Sequence, residues 1–265
     1  MNFLKNYQEK IIIHKTNLDK LKALFKSKRN SFLYINQLEY MVESLDDLSL
    51  FYNLSDVKKW FREKRKLSLM TTKKIGLNRL NNWKKTNKGD IYHISNEFFV
   101  VHGVRTFTSI RETNEKFWDQ PILAQVGLDG GLLGLIRKRF NGIPHYLCEA
   151  KFEPGNYGKA QISPTIQATF SNIKRAHKGA KPEFTDLFLN MKKKNFLVLF
   201  DSWMAEDGGR MYKKRNRSIL LEIPEKQKIK LPSNNFIWLS LYQIKALLKE
   251  NAWINPHMRG IIAHT

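Results

Sequence analysis

The chain has 265 residues, 42% of them hydrophobic and 12% aromatic, which is enough to build a real core and argues against global disorder. Lys and Arg number 46 against 24 Asp and Glu, a formal charge of +22 that suits either a nucleic acid or an anionic small ligand. No apolar run approaches the ~18 residues of a membrane span, no small-residue cleavage site follows the first residues, and the single cysteine, Cys148, excludes an intrachain disulfide, so the expected setting is the cytoplasm.

Residues 1–54 are expected to form a helical N-terminal extension, because Leu18, Leu21 and Leu24 recur at helical spacing. "SDVKKWFREKRK" then predicts a helix that leads into the main unit, residues 55–265, with Ser55 as N-cap and Val57, Trp60 and Phe61 on its apolar face. From about residue 90 the texture turns to strands. "GGLLGLIRKRF" and "IPHYLCEAKFE" flank Asn141-Gly142, a strong hairpin signal because both turn positions favour positive φ. A similar pattern surrounds Asp207-Gly208. Two helices are expected to punctuate the strands. "SPTIQATFSNIKRAHKG" has Ser163 placed as N-cap, Pro164 at the first helical position and Gly179 past the end. "SLYQIKALLKEN" carries a Ser240/Gln243 capping box and a stripe of Leu241, Ile244, Leu247 and Leu248. Strands, helix, strands, helix in that order predict an α+β fold.

Two groups of residues carry chemical interest. In "EAKFE" the alternation of a strand points Glu149, Lys151 and Glu153 the same way, at the edge of a Pro154-Gly155-Asn156 turn. Such a row is either a surface charge ladder or a site. On the expected helix, Ile166, Phe170, Ile173 and His177 share one face, and Thr165, Thr169 and Asn172 share a flank. That flank is either a small-residue packing surface or a hydrogen-bonding surface for a ligand. The histidines show no metal-ligand spacing, and the chain has no G-x-S-x-G, Walker loop or G-x-G-x-x-G, so neither a metal nor a cofactor is expected. The basic residues are dispersed and lack an RNA-binding aromatic signature, which argues against nucleic acid as the partner.

"GVRTFTSIRETNEKFWDQPIL", "GLLGLIRKRFNGIPHYLCEAKFEPGN", "QISPTIQATFSNIKRAHKG", "GGRMYKKRNRSILLEI" and "FIWLSLYQIKALLKENAWINPHMRGIIA", in that order from about Ser55 to Ala263, closely resemble the NDP-hexose 2,3-dehydratase family. The resemblance implies a nucleoside-diphosphate 4-keto-6-deoxy-hexose as substrate, loss of water across C2 and C3, and a Nudix-like mixed sheet flanked by helices but without Nudix hydrolysis. Counting from Gly155, the positions where a Nudix helix would place carboxylates hold Gln161, Phe170, Ile173 and Lys174, which a hard cation would not choose. Two departures stand out. Family members carry two such units in one chain where this sequence has one, which predicts a homodimer, and Glu149 stands where members often have Gln.

The substrate class sets the chemistry. A C4 ketone acidifies the C3 hydrogen, so the site needs a base, a donor for the enolate oxygen and an acid for the C2 hydroxyl. Lys151, Glu153 and His177 are the candidates for these roles. Arg105, Arg175, Arg210 and Arg217 are candidates for the diphosphate, Trp118 or Trp203 for the base, and Gln120, Gln161, Gln167, Thr165, Thr169 and Asn172 for polar contacts. A catalytically silent sugar-nucleotide-binding subunit and a basic RNA-binding module are the competing readings.

Overall fold

The computed structural model describes residues 2–24, 32–107, 117–128, 130–175 and 180–265. Two helices, α1 (Asn2–Leu24) and α2 (Phe32–Leu45), precede α3 (Leu54–Leu67). The cap of α3 is Asn53, two residues earlier than the expected Ser55. Its side chain accepts from the Asp56 N–H while the Asp56 carboxylate accepts from the Asn53 N–H, a reciprocal box that Ser55 does not offer. Val57 and Phe61 are buried beneath it.

Twelve strands follow among the described residues. β1 (Trp83–Lys85), β2 (Ile91–His93), β3 (Phe99–Phe107), β4 (Phe117–Gln125) and the later β10 (Met211–Tyr212) form a five-stranded sheet. A larger sheet runs β12 (Phe236–Leu239), β6 (Ile143–Phe152), β5 (Gly131–Phe140), β11 (Arg215–Ile223), β9 (Leu197–Ala205). β5 is antiparallel to β6 and parallel to β11, so the sheet is mixed and the fold α+β. The Asn141-Gly142 hairpin joins β5 to β6 with φ of 50° and 80° at the two positions. The link between β9 and β11 is longer than a tight turn, because residues 206–214 detour to place β10 beside β4.

The helix expected over residues 163–179 is absent from its described part. The last residue of β7 (Ala160–Ser163), the strand β8 (Ile166–Thr169) and the single turn α4 (Phe170–Ile173) lie there instead. Ser163 therefore ends a strand, and counting carboxylate positions along a helix after Gly155 has no structural counterpart. β5 and β6 part beyond the Ile136–Leu147 pair; β7 adds to β6 and β8 to β5 in the opening. Gly134 makes this close approach possible, since a Cβ there would lie 2.4 Å from the Phe188 ring and 2.7 Å from Ile166.

Buried side chains fill both faces of the larger sheet. On one face, Leu133, Tyr146 and Cys148 meet α3, α6 (Leu241–Leu247) and α7 (Pro256–Ile262); on the other, Ile136, Leu147 and Ile219 meet Phe188 of α5 (Thr185–Leu189). The Ser240/Gln243 capping box opens α6 as expected, while Leu248 is 41% exposed and only the first three residues of its stripe are buried. The N-terminal helices are built into the body. Glu39 and Glu43 of α2 accept from Arg137 of β5, which is fully buried and also pairs with Glu222 of β11.

Candidate active site

Strand β6 delivers the chemistry. Past the point where it leaves β5, Glu149 and Lys151 line a cleft of about 300 Å³ together with Gln167, Glu183, Ser233 and Phe236. Lys151 Nζ stands 3.6 Å from Glu149 Oε2, and both side chains are about three-quarters covered. Burial pushes the Glu149 carboxyl up, the Lys151 ammonium opposes that shift, and the Glu153 carboxylate adds to it.

Glu153 lies just past the strand. Gln167 Nε2 donates to it at 2.9 Å, and the turn beyond is closed by Asn156, whose N–H donates to the Glu153 carbonyl and whose Nδ2 donates to the Lys151 carbonyl. Glu153 faces a second recess of about 320 Å³ with Thr71, Asn156 and Lys159. The Gln167 side chain thus links the two depressions. On β7, Gln161 sits opposite Lys151 and Ser163 opposite Glu149. Gln161 Nε2 reaches the Ala252 carbonyl at 3.4 Å.

Thr165 borders the same cleft, but its hydroxyl is committed elsewhere. It accepts from the Ile136 N–H at 2.9 Å and donates to the Leu147 carbonyl at 2.5 Å. Those are the backbone groups at the point where β5 and β6 separate, so Thr165 ties the fork and has no spare proton for a ligand.

The other expected residues lie apart from this cleft. Arg105 on β3 makes two hydrogen bonds, 2.8 and 2.7 Å, to Asp119 on β4. Trp118 Nε1 donates to Gln120, which in turn donates to the Gly209 carbonyl, and Arg210 pairs with Asp207. Arg217 is held in the same bidentate way by Asp201. Three of the arginines expected to meet a diphosphate therefore already hold carboxylates of their own chain. Thr169 caps α4 by accepting from the Asn172 N–H, and Trp203 of β9 packs its ring 6.3 Å from that of Phe170 in the same turn. Arg175 follows with φ of 58°. His177 lies outside the described residues.

Glu149 of the cleft wall and Ser163, opposite it on β7 but not lining the cleft, escape the sequence-based assignment. Glu149 was legible as a strand neighbour of Lys151 but carried no role, and its burial comes from β12 and residues 182–183, distant in sequence. Ser163 was expected to cap a helix; here it is fully buried, and its hydroxyl has no hydrogen-bond partner among the described residues. Among the described residues no three His, Cys, Asp or Glu side chains are grouped as a metal ion would require, and no helix is long and apolar enough to cross a membrane.

A family model described as NDP-hexose 2,3-dehydratase matches residues 54–265. A protein of Saccharopolyspora spinosa named dTDP-4-dehydro-6-deoxy-alpha-D-glucopyranose 2,3-dehydratase is 35% identical over 205 residues, covering 77% of this chain and 40% of its own length. Proteins with the same name from Amycolatopsis orientalis and Streptomyces violaceoruber are 31% and 33% identical, covering 78% and 77% of this chain and 44% of their own lengths. The chain thus spans less than half the length of the curated relatives it matches.

Proposed function

The chain belongs to the NDP-hexose 2,3-dehydratase family, and we propose that it removes water across C2 and C3 of a nucleoside-diphosphate 4-keto-6-deoxy-hexose. The observation that carries this proposal onto the molecule is the end of β6, where Lys151 opens onto a half-covered cleft and Glu153 is oriented from behind by Gln167. In this scheme Glu153 takes the C3 proton, which the C4 ketone acidifies, and Lys151 steadies the negative oxygen that results. Departure of the C2 hydroxyl gives an enol, which tautomerises to a 3,4-diketo-2,6-dideoxy sugar. The sequence of steps is redox-neutral and moves only protons and water.

The test is incubation with the thymidine diphosphate 4-keto-6-deoxy-glucose derivative in deuterated buffer. Deuterium at C3 and the appearance of the diketo product are expected. Binding without exchange or product would make the chain a sugar-nucleotide-binding subunit and refute the enzyme.

A Nudix-like description of the larger sheet, a cytoplasmic setting and a homodimer belong to the same proposal. The sheet is mixed at its centre and helix-covered, as such a fold requires. Dimerisation is supported by the five-stranded sheet, since none of the buried clusters among the described residues draws on β1, β2 or β3, and their aromatic and aliphatic side chains stay half-exposed. Light scattering showing an active monomer at micromolar protein would remove the dimer from the proposal.

A further inference from the structure

Resting on the proposed dehydration, we infer that a recess between α3 and Asn234-Asn235, on the other face of the larger sheet, holds the nucleotide end of the substrate. A pyrimidinedione base lies against Trp60, and the diphosphate passes Lys64 and Lys159 on its way to the sugar at Glu153.

The recess measures about 560 Å³, and its wall includes Trp60, Lys64, Leu67, Leu69 and Phe152. Strand alternation brings Phe152 there: Lys151 turns to the cleft, while Phe152 packs against the core on the α3 side. Leu67 and Leu69 are 74% and 97% exposed, so the wall carries apolar surface that a planar ring would cover. The Trp60 indole is held in place, because its Nε1 donates to the Asn234 carbonyl at 3.2 Å. A fixed aromatic face of this kind suits the stacking of a base.

The recess is continuous with the proposed chemistry. Met70 lines it and also lines the Glu153 recess, together with Thr71 and Lys159. Lys159 donates to the Ser68 carbonyl at 3.5 Å, and Ser68 belongs to the Trp60 recess, so the Lys159 side chain reaches from one to the other. A ligand laid along this path turns around the end of β6, with its base on one face and its sugar at Glu153.

Lys64 sets the polarity of the site. Its Nζ donates to Asn234 Oδ1 at 2.6 Å and to Asn235 Oδ1 at 3.0 Å. With both amide oxygens so occupied, the two side chains offer a ligand their N–H groups. Uracil and thymine present two carbonyl oxygens to such donors, and adenine presents none. The Lys64 charge meets only these neutral amides, and Lys159 meets only a carbonyl, whereas Arg105, Arg210 and Arg217 are each neutralised by an aspartate. Glu63 also lines the recess, but it is exposed and its charge is screened by solvent. Two cations without a carboxylate partner among the described residues match a diphosphate.

Calorimetry with thymidine diphosphate on the full chain tests the site, and steady-state kinetics with the 4-keto sugar nucleotide give a second readout. Trp60→Ala should weaken thymidine diphosphate binding and raise KM by about 5–150-fold, the worth of stacking one base, with kcat within about threefold of wild type. Because Trp60 also packs against the core, Lys64→Met and Asn234→Ala repeat the test without opening a cavity, and urea denaturation reports folding. Lys64→Met should flatten the salt dependence of binding. Asn234→Ala should narrow the preference for thymidine over adenosine diphosphate. Unchanged affinity and KM in Trp60→Ala and Lys64→Met overturn the site, whatever the wild-type turnover, and a wild-type preference for adenosine diphosphate overturns the base. Loss of a dimer in these variants with nucleotide affinity intact would make the recess an interface between copies and likewise overturn the site. Thymidine diphosphate bound by the wild type and lost in the variants, without turnover of the sugar nucleotide, keeps the site and overturns the proposed reaction instead.

Discussion

Gln167 donates a hydrogen bond of 2.9 Å to Glu153 from a strand that pairs with β5, while Glu153 itself extends from β6. The two branches of the forked sheet are thereby latched together where the proposed chemistry occurs. Glu153→Gln and Lys151→Met should each lower turnover by ~10²–10⁴-fold with sugar-nucleotide binding retained. Gln167→Leu should lower kcat less, because it frees the Glu153 side chain without removing it. If the row were only a surface charge ladder, each change would cost at most ~1 kcal/mol of stability and leave the rate alone. Rates near wild type in both charge variants, with folding confirmed, would shift attention to His177, Thr169 and Asn172.

Thr165 and the backbone of Ile136 and Leu147 make a second prediction, one of stability. Thr165→Val keeps the shape but strips both hydrogen bonds at the fork. A buried N–H and a buried carbonyl are left unmade, at ~1–3 kcal/mol each. Urea denaturation should show a loss of that order, and Thr165→Ser should recover most of it. A variant of wild-type stability with weakened ligand affinity would instead return Thr165 to the role of a substrate contact.

The sequence was legible where the chemistry is local. Asn141-Gly142 and Ser240/Gln243 act within four residues of chain, so their turn and cap were readable from local chemistry alone. The stretch from Ser163 was not. Ile166, Phe170 and Ile173 fit a helical stripe, and Pro164 suits a first helical position. The same stretch alternates Ile166 and Ala168 with Gln167 and Thr169, and its Ile and Thr residues favour strand; tertiary pairing with β5 decided between the two periods. Lys151 and Glu153 were legible as a pair because a strand shows alternate residues on one face. The partners of Arg105 and Arg217 were not legible, because Asp119 and Asp201 meet them only through strand pairing, whereas Asp207 lies just three residues before Arg210.

Arg137 tests the union of the N-terminal helices with the sheet. It is fully buried among Glu39, Glu43 and Glu222, and Glu43 also accepts from the Tyr146 hydroxyl at 2.9 Å. Arg137→Met would leave the buried Glu43 with the Tyr146 hydroxyl alone, while Arg139 still holds Glu39 and Glu222, and should cost ~3–5 kcal/mol. Glu43→Gln, which keeps a polar partner for both Arg137 and Tyr146, should cost less. The family match begins at Leu54, outside both glutamates of α2. Removing residues 1–53 should therefore destabilise the matched unit, and a truncated chain as stable as the full one would show that α2 does not serve the sheet in this way.

His145 gives a pH dependence whose sign is fixed by two hydrogen bonds. Its ring is fully buried; Nδ1 donates to the Ile143 carbonyl at 3.1 Å, so Nε2 is left as the acceptor for the Leu50 N–H at 3.0 Å. Protonation would set a second N–H against the Leu50 donor. Burial lowers the pKa to about 4, helped by the charges of Lys10 and His14 and opposed by the Ile143 carbonyl, from an ordinary value of 6.5. A depressed pKa means that the unfolded chain binds the proton first. The contribution is complete above pH ~6.5, declines as the pH falls, and is gone below about 4, a full swing of roughly 3–4 kcal/mol. The Glu39 carboxyl, held below its usual range by His14, Arg139 and Arg137 against the pull of burial, adds its own loss only below about pH 4.5. Urea titrations at pH 7.0 and 5.0 therefore isolate the histidine. His145→Gln, whose amide can still accept from Leu50, should be less stable at pH 7.0 yet nearly flat between the two values. An equal slope in the variant and the wild type would place the titrating group elsewhere.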